Sequence, residues 1–244
     1  MGAYGKVIAI IPAAGLGVRM GHTRKQFLRL DGEPILTLTL RKFDACGDVD
    51  AIYLAAREED QEAIAEMVNL AKIRKQITIV KGGDSRQQSV ENALRALPTD
   101  TTLVAIHDAV RPFVSVSEIS SVIAEAARTK ASILGVLCVD TVKQVERSRI
   151  TATIPRERIV LAQTPQVFHY RLLMDAFDSA RSDQYTGTDE ASLVERLGAE
   201  VTVVVGSPRN IKITAPPDLE LARFYLDQER AATKESGAKG TWKS

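Results

Sequence analysis

The sequence predicts an α/β fold, a three-layer and mostly parallel sheet with helices on both faces. Three observations carry that prediction. Short β-branched or apolar runs recur along the chain, and stretches with apolar residues at helical spacing separate them. The first run, Val7-Ile8-Ala9-Ile10-Ile11, shows no polar alternation, as expected of a strand covered on both faces. The chain has 244 residues, of which 45% are hydrophobic and 26% charged, enough for one large globular domain.

The elements follow in order. After the first strand, Pro34 opens a helix carrying Ile35, Leu36, Leu38, Leu40 and Phe43, and Gly47 follows it. Ile52-Tyr53-Leu54-Ala55 reads as the second strand, and Ile64, Met67, Val68 and Ala71 fall at helical spacing behind it. Ile77-Thr78-Ile79-Val80 is the third strand, followed by Gly82-Gly83 and a helix to about Leu97. Leu103 to Ile106 is the fourth strand. Ser115 and Glu118 form a capping box for a helix reaching about Lys130, and Ser132 to Val139 is the fifth strand. From Asp140 to Ala162 the rhythm breaks. Thr141 to Val145 and Ile159 to Gln163 read as strands flanking a polar excursion, an arm that is unstable alone. Helices return over Tyr170–Ala180, Thr188–Leu197 and Pro217–Glu229, with a strand at Val201–Val205. The expected organisation is a single domain over 1–230 with an arm at about 140–162, and a flexible tail over 231–244.

Composition excludes several function classes. Formal net charge is +1, from 32 basic and 31 acidic residues, so nucleic acid held by global charge is not expected. No apolar run approaches the roughly 20 residues of a membrane span, and no signal peptide is read at the N-terminus. Cys46 and Cys138 lack any metal or disulfide spacing, and read as reduced thiols of a cytoplasmic protein. The neutral total hides one asymmetry. Met1 to Leu30 contains no Asp or Glu, yet carries Lys6, Arg19, Arg24, Lys25 and Arg29, which points to a local anion site.

In a sheet of this type, ligands bind beyond the carboxyl ends of the strands. Three loops should share that edge. The first, Pro12-Ala13-Ala14-Gly15-Leu16-Gly17-Val18-Arg19-Met20-Gly21, is glycine-rich, so backbone N–H groups can approach a phosphate. It matches neither the dinucleotide fingerprint, which would need Gly where Met20 stands, nor a Walker A loop. Arg19 and Lys25 are long enough to reach back toward a polyphosphate. The second loop, Lys81 to Ser89, offers glycine backbone and a hydroxyl to a nucleobase, or serves as a plain turn with Asp84 or Ser85 as N-cap. The third, His107-Asp108-Ala109-Val110-Arg111-Pro112-Phe113, places a carboxylate where Mg²⁺ and phosphate oxygens could meet it. Arg111 is a candidate anion ligand there, and His107 reads as a packing or hydrogen-bonding residue.

These loops, together with Lys25-Gln26-Phe27, Thr164-Pro165-Gln166, Thr188-Asp189-Glu190-Ala191 and Asn210-Ile211-Lys212, resemble the 2-C-methyl-D-erythritol 4-phosphate cytidylyltransferases of the non-mevalonate isoprenoid pathway. The resemblance runs in order from about Val7 to Leu226. It implies a nucleotide-diphospho-sugar transferase (Rossmann-like) fold with a protruding β-arm. It implies transfer of the cytidylyl group of CTP to a polyol phosphate, methylerythritol phosphate, with release of pyrophosphate and with Mg²⁺ as cofactor. By the same resemblance, Arg19 and Lys25 stabilise charge on the triphosphate, and Ala13, Ala14, Gly15, Gly17, Gly83, Asp84 and Ser89 bind CTP. Arg156 and Lys212 position the acceptor phosphate. Asp108 lies at the metal and on the acceptor side, where Arg111, Thr141, Thr164 and Thr188 line the pocket. The family's arm crosses to a second subunit, so a homodimer is implied in which Thr141 and Arg156 serve the neighbour's site.

The chemistry agrees with the residue types. In the reaction that the resemblance implies, the acceptor's phosphate oxygen is the nucleophile, so the protein's task would be to align two polyanions and neutralise them. Val110 replaces an Ala common in the family string and also resembles ribitol-5-phosphate cytidylyltransferases, which leaves that acceptor as an alternative. A non-catalytic nucleotide-binding regulator on the same fold is the rival of another class. The cyclodiphosphate synthase domain of bifunctional relatives is not expected.

Overall fold

The computed structural model describes residues 3–15 and 24–238. Its elements are β1 (Lys6–Pro12), β2 (Arg29–Leu30), β3 (Glu33–Pro34), α1 (Ile35–Ala45), β4 (Ala51–Ala56), α2 (Gln61–Ala71), β5 (Gln76–Lys81), α3 (Arg86–Arg95), β6 (Thr101–Ile106), α4 (Val116–Thr129), β7 (Ala131–Leu137), β8 (Val142–Glu146), β9 (Arg149–Ile154), β10 (Val160–His169), α5 (Tyr170–Ser182), α6 (Glu190–Arg196), β11 (Thr202–Val205) and α7 (Pro216–Ala238). Seven strands form the central sheet in the order β11-β7-β10-β6-β1-β4-β5. The pairs β1–β4, β1–β6, β4–β5 and β7–β11 are parallel, and β10 alone runs antiparallel to both its neighbours.

The alternation of β1 explains the three layers. Val7, Ala9 and Ile11 face one side, where they pack with Leu36, Leu40 and Phe43 of α1, Ile64 of α2 and Ile119, Val122 and Ile123 of α4. Ile8 and Ile10 face the other, against Val90 and Leu94 of α3, Phe177 of α5 and Leu193 of α6. Both sides of β1 are therefore dry, as its unbroken apolar run requires. The Ser115–Glu118 capping box is present at the start of α4. A third cluster seats α7: its Ala222 and Leu226, with Ile213 from the segment before it, cover Leu30, Ile35, Leu38 and Phe113.

Two elements differ from the sequence reading. Ile159 to Gln163 does not form the arm's second strand. It lies at the start of β10 in the central sheet, paired Val160↔Leu137, Leu161↔Val136 and Ala162↔Gly135. The arm's strands are β8 and β9, joined at Arg147 and Ser148, which both adopt positive φ as a two-residue hairpin turn demands. Pro165 disguised β10, because proline within a run argues against a central strand. The strand absorbs it through a register shift between Ala162 and Gln166 against β7, where the Thr164–Pro165 peptide is cis. The second difference concerns the last helix. Helix α7 continues through Ala238, into the stretch read as a flexible tail, because residues 231–235 are Ala-Ala-Thr-Lys-Glu and mostly favour helix.

Candidate active site

A cleft of about 440 Å³ opens at the carboxyl ends of β1, β5 and β6. Pro12, Ala13, Ala14 and Gly15 line it from the first loop, Gly83 to Arg86 and Ser89 from the second, and Asp108 to Val110 from the third. Lys212, Ile213 and Thr214 close the remaining side. This is the crevice between β1 and its two flanking halves, where the strand order reverses.

Backbone bonds lock the loops together. Ala13 N–H donates to Ala55 O (2.7 Å), and Gly82 N–H donates to Ala56 O (2.7 Å). A side chain at Gly82 would collide with the Ala14 Cβ at 2.5 Å, so only glycine lets the first two loops touch. Arg57, a cleft residue absent from the sequence reading, donates from Nε to Ala14 O at 2.9 Å. In the second loop, Ser85 is the N-cap of α3, its side chain accepting from Gln88 N–H. The buried Ser89 hydroxyl accepts from Gly83 N–H (3.0 Å) and donates to Ser85 O (2.8 Å). It therefore shapes the loop from within. Asp84 is exposed at its rim.

Asp108 is the electrostatic centre. It is 6% exposed, and three cations converge on it. Arg86 Nε donates to Oδ1 at 3.0 Å, while Arg111 Nε (3.3 Å) and Lys212 Nζ (2.8 Å) share Oδ2. Burial alone would raise its pKa, but Arg86, Lys212 and Arg111 together hold the carboxyl well below the usual carboxylate range. Arg86 also reaches Glu190, 1% exposed, through Nη1 at 2.7 and 2.9 Å. Burial pushes the Glu190 carboxyl up, and the Arg86 guanidinium opposes it.

Behind Asp108 lies a chain of neutral hydrogen bonds. Asp108 N–H donates to Thr164 Oγ1 (3.1 Å), which lies 3.0 Å from His107 Nδ1. His107 Nε2 lies 3.0 Å from Arg111 O, an acceptor only, so the network assigns the proton to Nε2 and makes Nδ1 the acceptor of the threonine hydroxyl. Full burial lowers the His107 pKa to about 4, which keeps the ring neutral. His107 is thus the packing residue its sequence suggested, 5.0 Å from the Phe43 ring. Asn210 sews the Lys212 loop down. Its Nδ2 donates to Thr164 O (2.8 Å) and Gln163 Oε1 (3.1 Å), and its backbone carbonyl accepts from Arg111 Nη1 (2.7 Å).

Of the residues expected from the sequence, the cleft gathers Ala13, Ala14, Gly15, Gly83, Asp84, Ser89, Asp108 and Lys212. Arg111 and Thr164 stand directly behind Asp108. Thr188 is exposed just before α6. Thr141 and Arg156 do not line the cleft of their own chain. They sit at the base of the β8–β9 hairpin, where Arg156 Nη1 donates to Val139 O at 2.6 Å. Gly17 and Arg19 lie outside the described residues, as does the Lys25 side chain, whose backbone opens a 3-10 turn, Lys25–Phe27. Arg86 and Glu190 were not singled out. Their partners stand 22 and 104 residues apart in the chain, beyond any local pattern.

Comparison with known proteins gives the family. The family model described as 2-C-methyl-D-erythritol 4-phosphate cytidylyltransferase matches residues 7–228. A protein of that name from Solibacter usitatus is 53% identical over 93% of this chain and 98% of its own length. Another from Acidobacterium capsulatum is 51% identical over 91% and 98%. Among solved structures, 4-diphosphocytidyl-2C-methyl-D-erythritol synthase from Anaerococcus prevotii superposes with a TM-score of 0.83 at 31% identity, covering 92% of this chain and 97% of that one. The cytidylyltransferase from Thermus thermophilus gives 0.76 at 32%, covering 90% and 98%. The chain belongs to the 2-C-methyl-D-erythritol 4-phosphate cytidylyltransferase family.

Proposed function

We propose that this protein binds CTP in the cleft beside β1 and transfers its cytidylyl group to 2-C-methyl-D-erythritol 4-phosphate. Family membership across residues 7–228 carries the reaction class. The cation cluster on Asp108 at the floor of the cleft is the observation that supports its location. An oxygen of the acceptor phosphate attacks the α-phosphorus of CTP. A new P–O bond forms, the bond to the β-phosphate oxygen breaks, and pyrophosphate leaves with the electron pair. No protein nucleophile enters, so the residues act by alignment and charge. Arg19 and Lys25 stabilise the triphosphate as negative charge moves to the leaving group. Lys212, half-exposed on Asp108, has the reach to receive the acceptor phosphate. The second loop cradles the base, its shape set by the Ser89 hydroxyl.

The donor set fits a divalent cation, Mg²⁺, of the kind that takes one carboxylate and completes its shell with substrate oxygens. Asp108 and Asp84 are the carboxylates on the cleft among the described residues, and Asp108 is held ionised. No group of three or more His, Cys, Asp or Glu among the described residues could hold a metal alone. Asp108 would hold the ion through the oxygen that Lys212 shares, once Lys212 turns to the acceptor phosphate, and the ion when bound would supply neutralisation of the triphosphate.

The hairpin supports a homodimer. Val145 and Ile150 on it, and Leu137, Val139 and Leu161 at its base, are all more than half exposed in the single chain. Burying them against a second copy would bring Thr141 and Arg156 to the neighbour's cleft. No helix among the described residues is long and apolar enough to cross a membrane, and the compartment we propose is the cytoplasm.

Pyrophosphate release tests the reaction, with CTP or UTP offered against 2-C-methyl-D-erythritol 4-phosphate or D-ribitol 5-phosphate. Turnover confined to CTP and the erythritol phosphate is expected. Preference for the ribitol phosphate would reassign the acceptor, and no release with any pair would leave a nucleotide-binding regulator as the better reading. Mixing inactive Arg156→Ala and Lys25→Met chains tests the dimer. Recovered activity is expected, and none despite proven subunit exchange would place Arg156 outside the partner's site.

A further inference from the structure

Glu190 has no place in the reaction described so far, yet it is among the most deeply buried charges of the chain, 1% exposed. Both its oxygens engage one nitrogen, Arg86 Nη1. It does not line the cleft, whereas Arg86 does. The other side of the guanidinium, Nε, holds Asp108 Oδ1. The hydrogen-bonded contact of Glu190 with the cleft runs through Arg86. Stability does not account for such a pair, since well-packed apolar side chains usually stabilise a protein as much or more. What the buried carboxylate adds is direction, because Glu190 on Nη1 and Asp108 on Nε hold the guanidinium plane at two of its nitrogens.

The surroundings fit that role. Glu190 opens α6, whose first turn is held by Gln166. The Gln166 amide donates to Asp189 Oδ2 (2.7 Å) and accepts from Ala191 N–H (3.0 Å). Gln87, next to Arg86, accepts from Gly187 N–H at 2.9 Å. The segment around Thr188 is thus tied at both ends to the N-terminus of α3, whose loop forms the proposed base pocket.

We infer that Glu190 and Arg86 form a positioning pair for cytidylyl transfer. Glu190 orients Arg86, and Arg86 fixes Asp108 so that Oδ2 alone is left to Lys212 and Arg111. This rests on the reading of the cleft as the transfer site. The pair joins the nucleotide side, through the α3 loop, to the acceptor side, through Asp108 and the Thr188 segment.

The test compares Glu190→Gln, Arg86→Met and the double variant by pyrophosphate release, with CTP affinity measured by calorimetry in the absence of acceptor. Glu190→Gln keeps the shape and removes the charge. It should lower kcat by about 10-fold and raise the acceptor KM, as loss of an orienting partner does elsewhere, with the CTP Kd within about twofold of wild type. Arg86→Met should lower kcat further and destabilise the fold, because it leaves the buried Glu190 carboxyl without its counter-ion. Adding Glu190→Gln to Arg86→Met should restore urea resistance without lowering kcat again. The double variant thus reports even if Arg86→Met alone does not fold. Wild-type kcat and acceptor KM in Glu190→Gln would overturn the inference. So would a double variant whose losses multiply, or a CTP Kd that weakens as much as the acceptor KM rises. A wild-type enzyme without pyrophosphate release would instead overturn the transfer reading, and the pair's role with it.

Discussion

Helix α3 carries an arginine network at each end. At its start, Arg86 joins Asp108 and Glu190, with Arg111 and Lys212 on the same aspartate. At its end, Arg95 joins Glu91 and Asp178, and Arg181 joins Glu91. The two helix arginines are equally exposed, 31% and 33%. The acids differ: Asp108 and Glu190 are buried, whereas at the other end Glu91 is only partly buried and Asp178 is mostly in water. The charge count differs too. Three cations face two carboxylates at the start of the helix, and two face two at its end. The first cluster keeps one positive charge in surplus beside the cleft, and the second is self-neutralised. Residue type alone would have made these networks look alike. Burial of the acids and the uncancelled charge separate a site from a surface.

Asp108→Asn would break that contrast most deeply. It leaves three clustered cations without their shared counter-ion. Unfolding free energy in urea at pH 7 should fall by about 3 to 5 kcal/mol, and turnover by about 10²-fold or more. A variant as stable as wild type would make the two networks equivalent.

Acid should distinguish the two ends next. His107, packed behind Asp108, has a folded pKa lowered to about 4 from an ordinary 6.5. The unfolded chain therefore takes up the proton first. The stabilisation is complete above pH 6.5 and is lost as pH falls toward 4, up to about 3 kcal/mol. Asp108 acts in the same direction lower down. Its depressed pKa gives stability present above the unfolded value near 3.8 and lost below it. Urea midpoints at pH 7 and pH 5 should differ more in wild type than in His107→Gln, and equal differences would remove His107 from the account.

Ser89→Ala probes the middle of the helix's first turns. It deprives Gly83 N–H of its acceptor and should weaken CTP binding by about 1 kcal/mol. Calorimetry reads this directly, and an unchanged Kd would show that the loop keeps its shape without the hydroxyl. Arg95→Ala should do least, below about 1 kcal/mol in low salt and less at high ionic strength. A larger loss, insensitive to salt, would mean that the outer network is as structural as the inner one.

The layers of the fold were legible because β1 is unbroken in its apolar run, and the mostly apolar strands that follow are separated by helical periods. The three cleft loops were legible because glycine, acid and basic residues concentrate at strand ends. What stayed hidden depends on pairing across distance. Nothing local marks Glu190 as the partner of a residue 104 positions away. Strand β10 was split because Pro165 looks like punctuation, and only the neighbouring strands reveal a register shift that tolerates it. Ser89 was assigned to the second loop but lies in the first turns of α3, and its hydroxyl bonds back to that loop follow from the turn's curvature, which composition does not encode.

The pairing Leu137↔Val160 has a topological consequence. Strands β7 and β10 are antiparallel neighbours, and a tight turn could join such strands directly. The chain instead leaves the sheet after one and returns at the other. The hairpin is thus an inserted module with both ends clamped, absent from the wiring of the sheet itself. Lengthening such an insertion costs only about 0.6 kcal/mol per doubling, so its length and surface are free to change over evolution while the strands beneath remain in register. The hairpin tip between β8 and β9 can therefore change by insertion and deletion while Thr141 and Arg156 stay at its base and the sheet keeps its register.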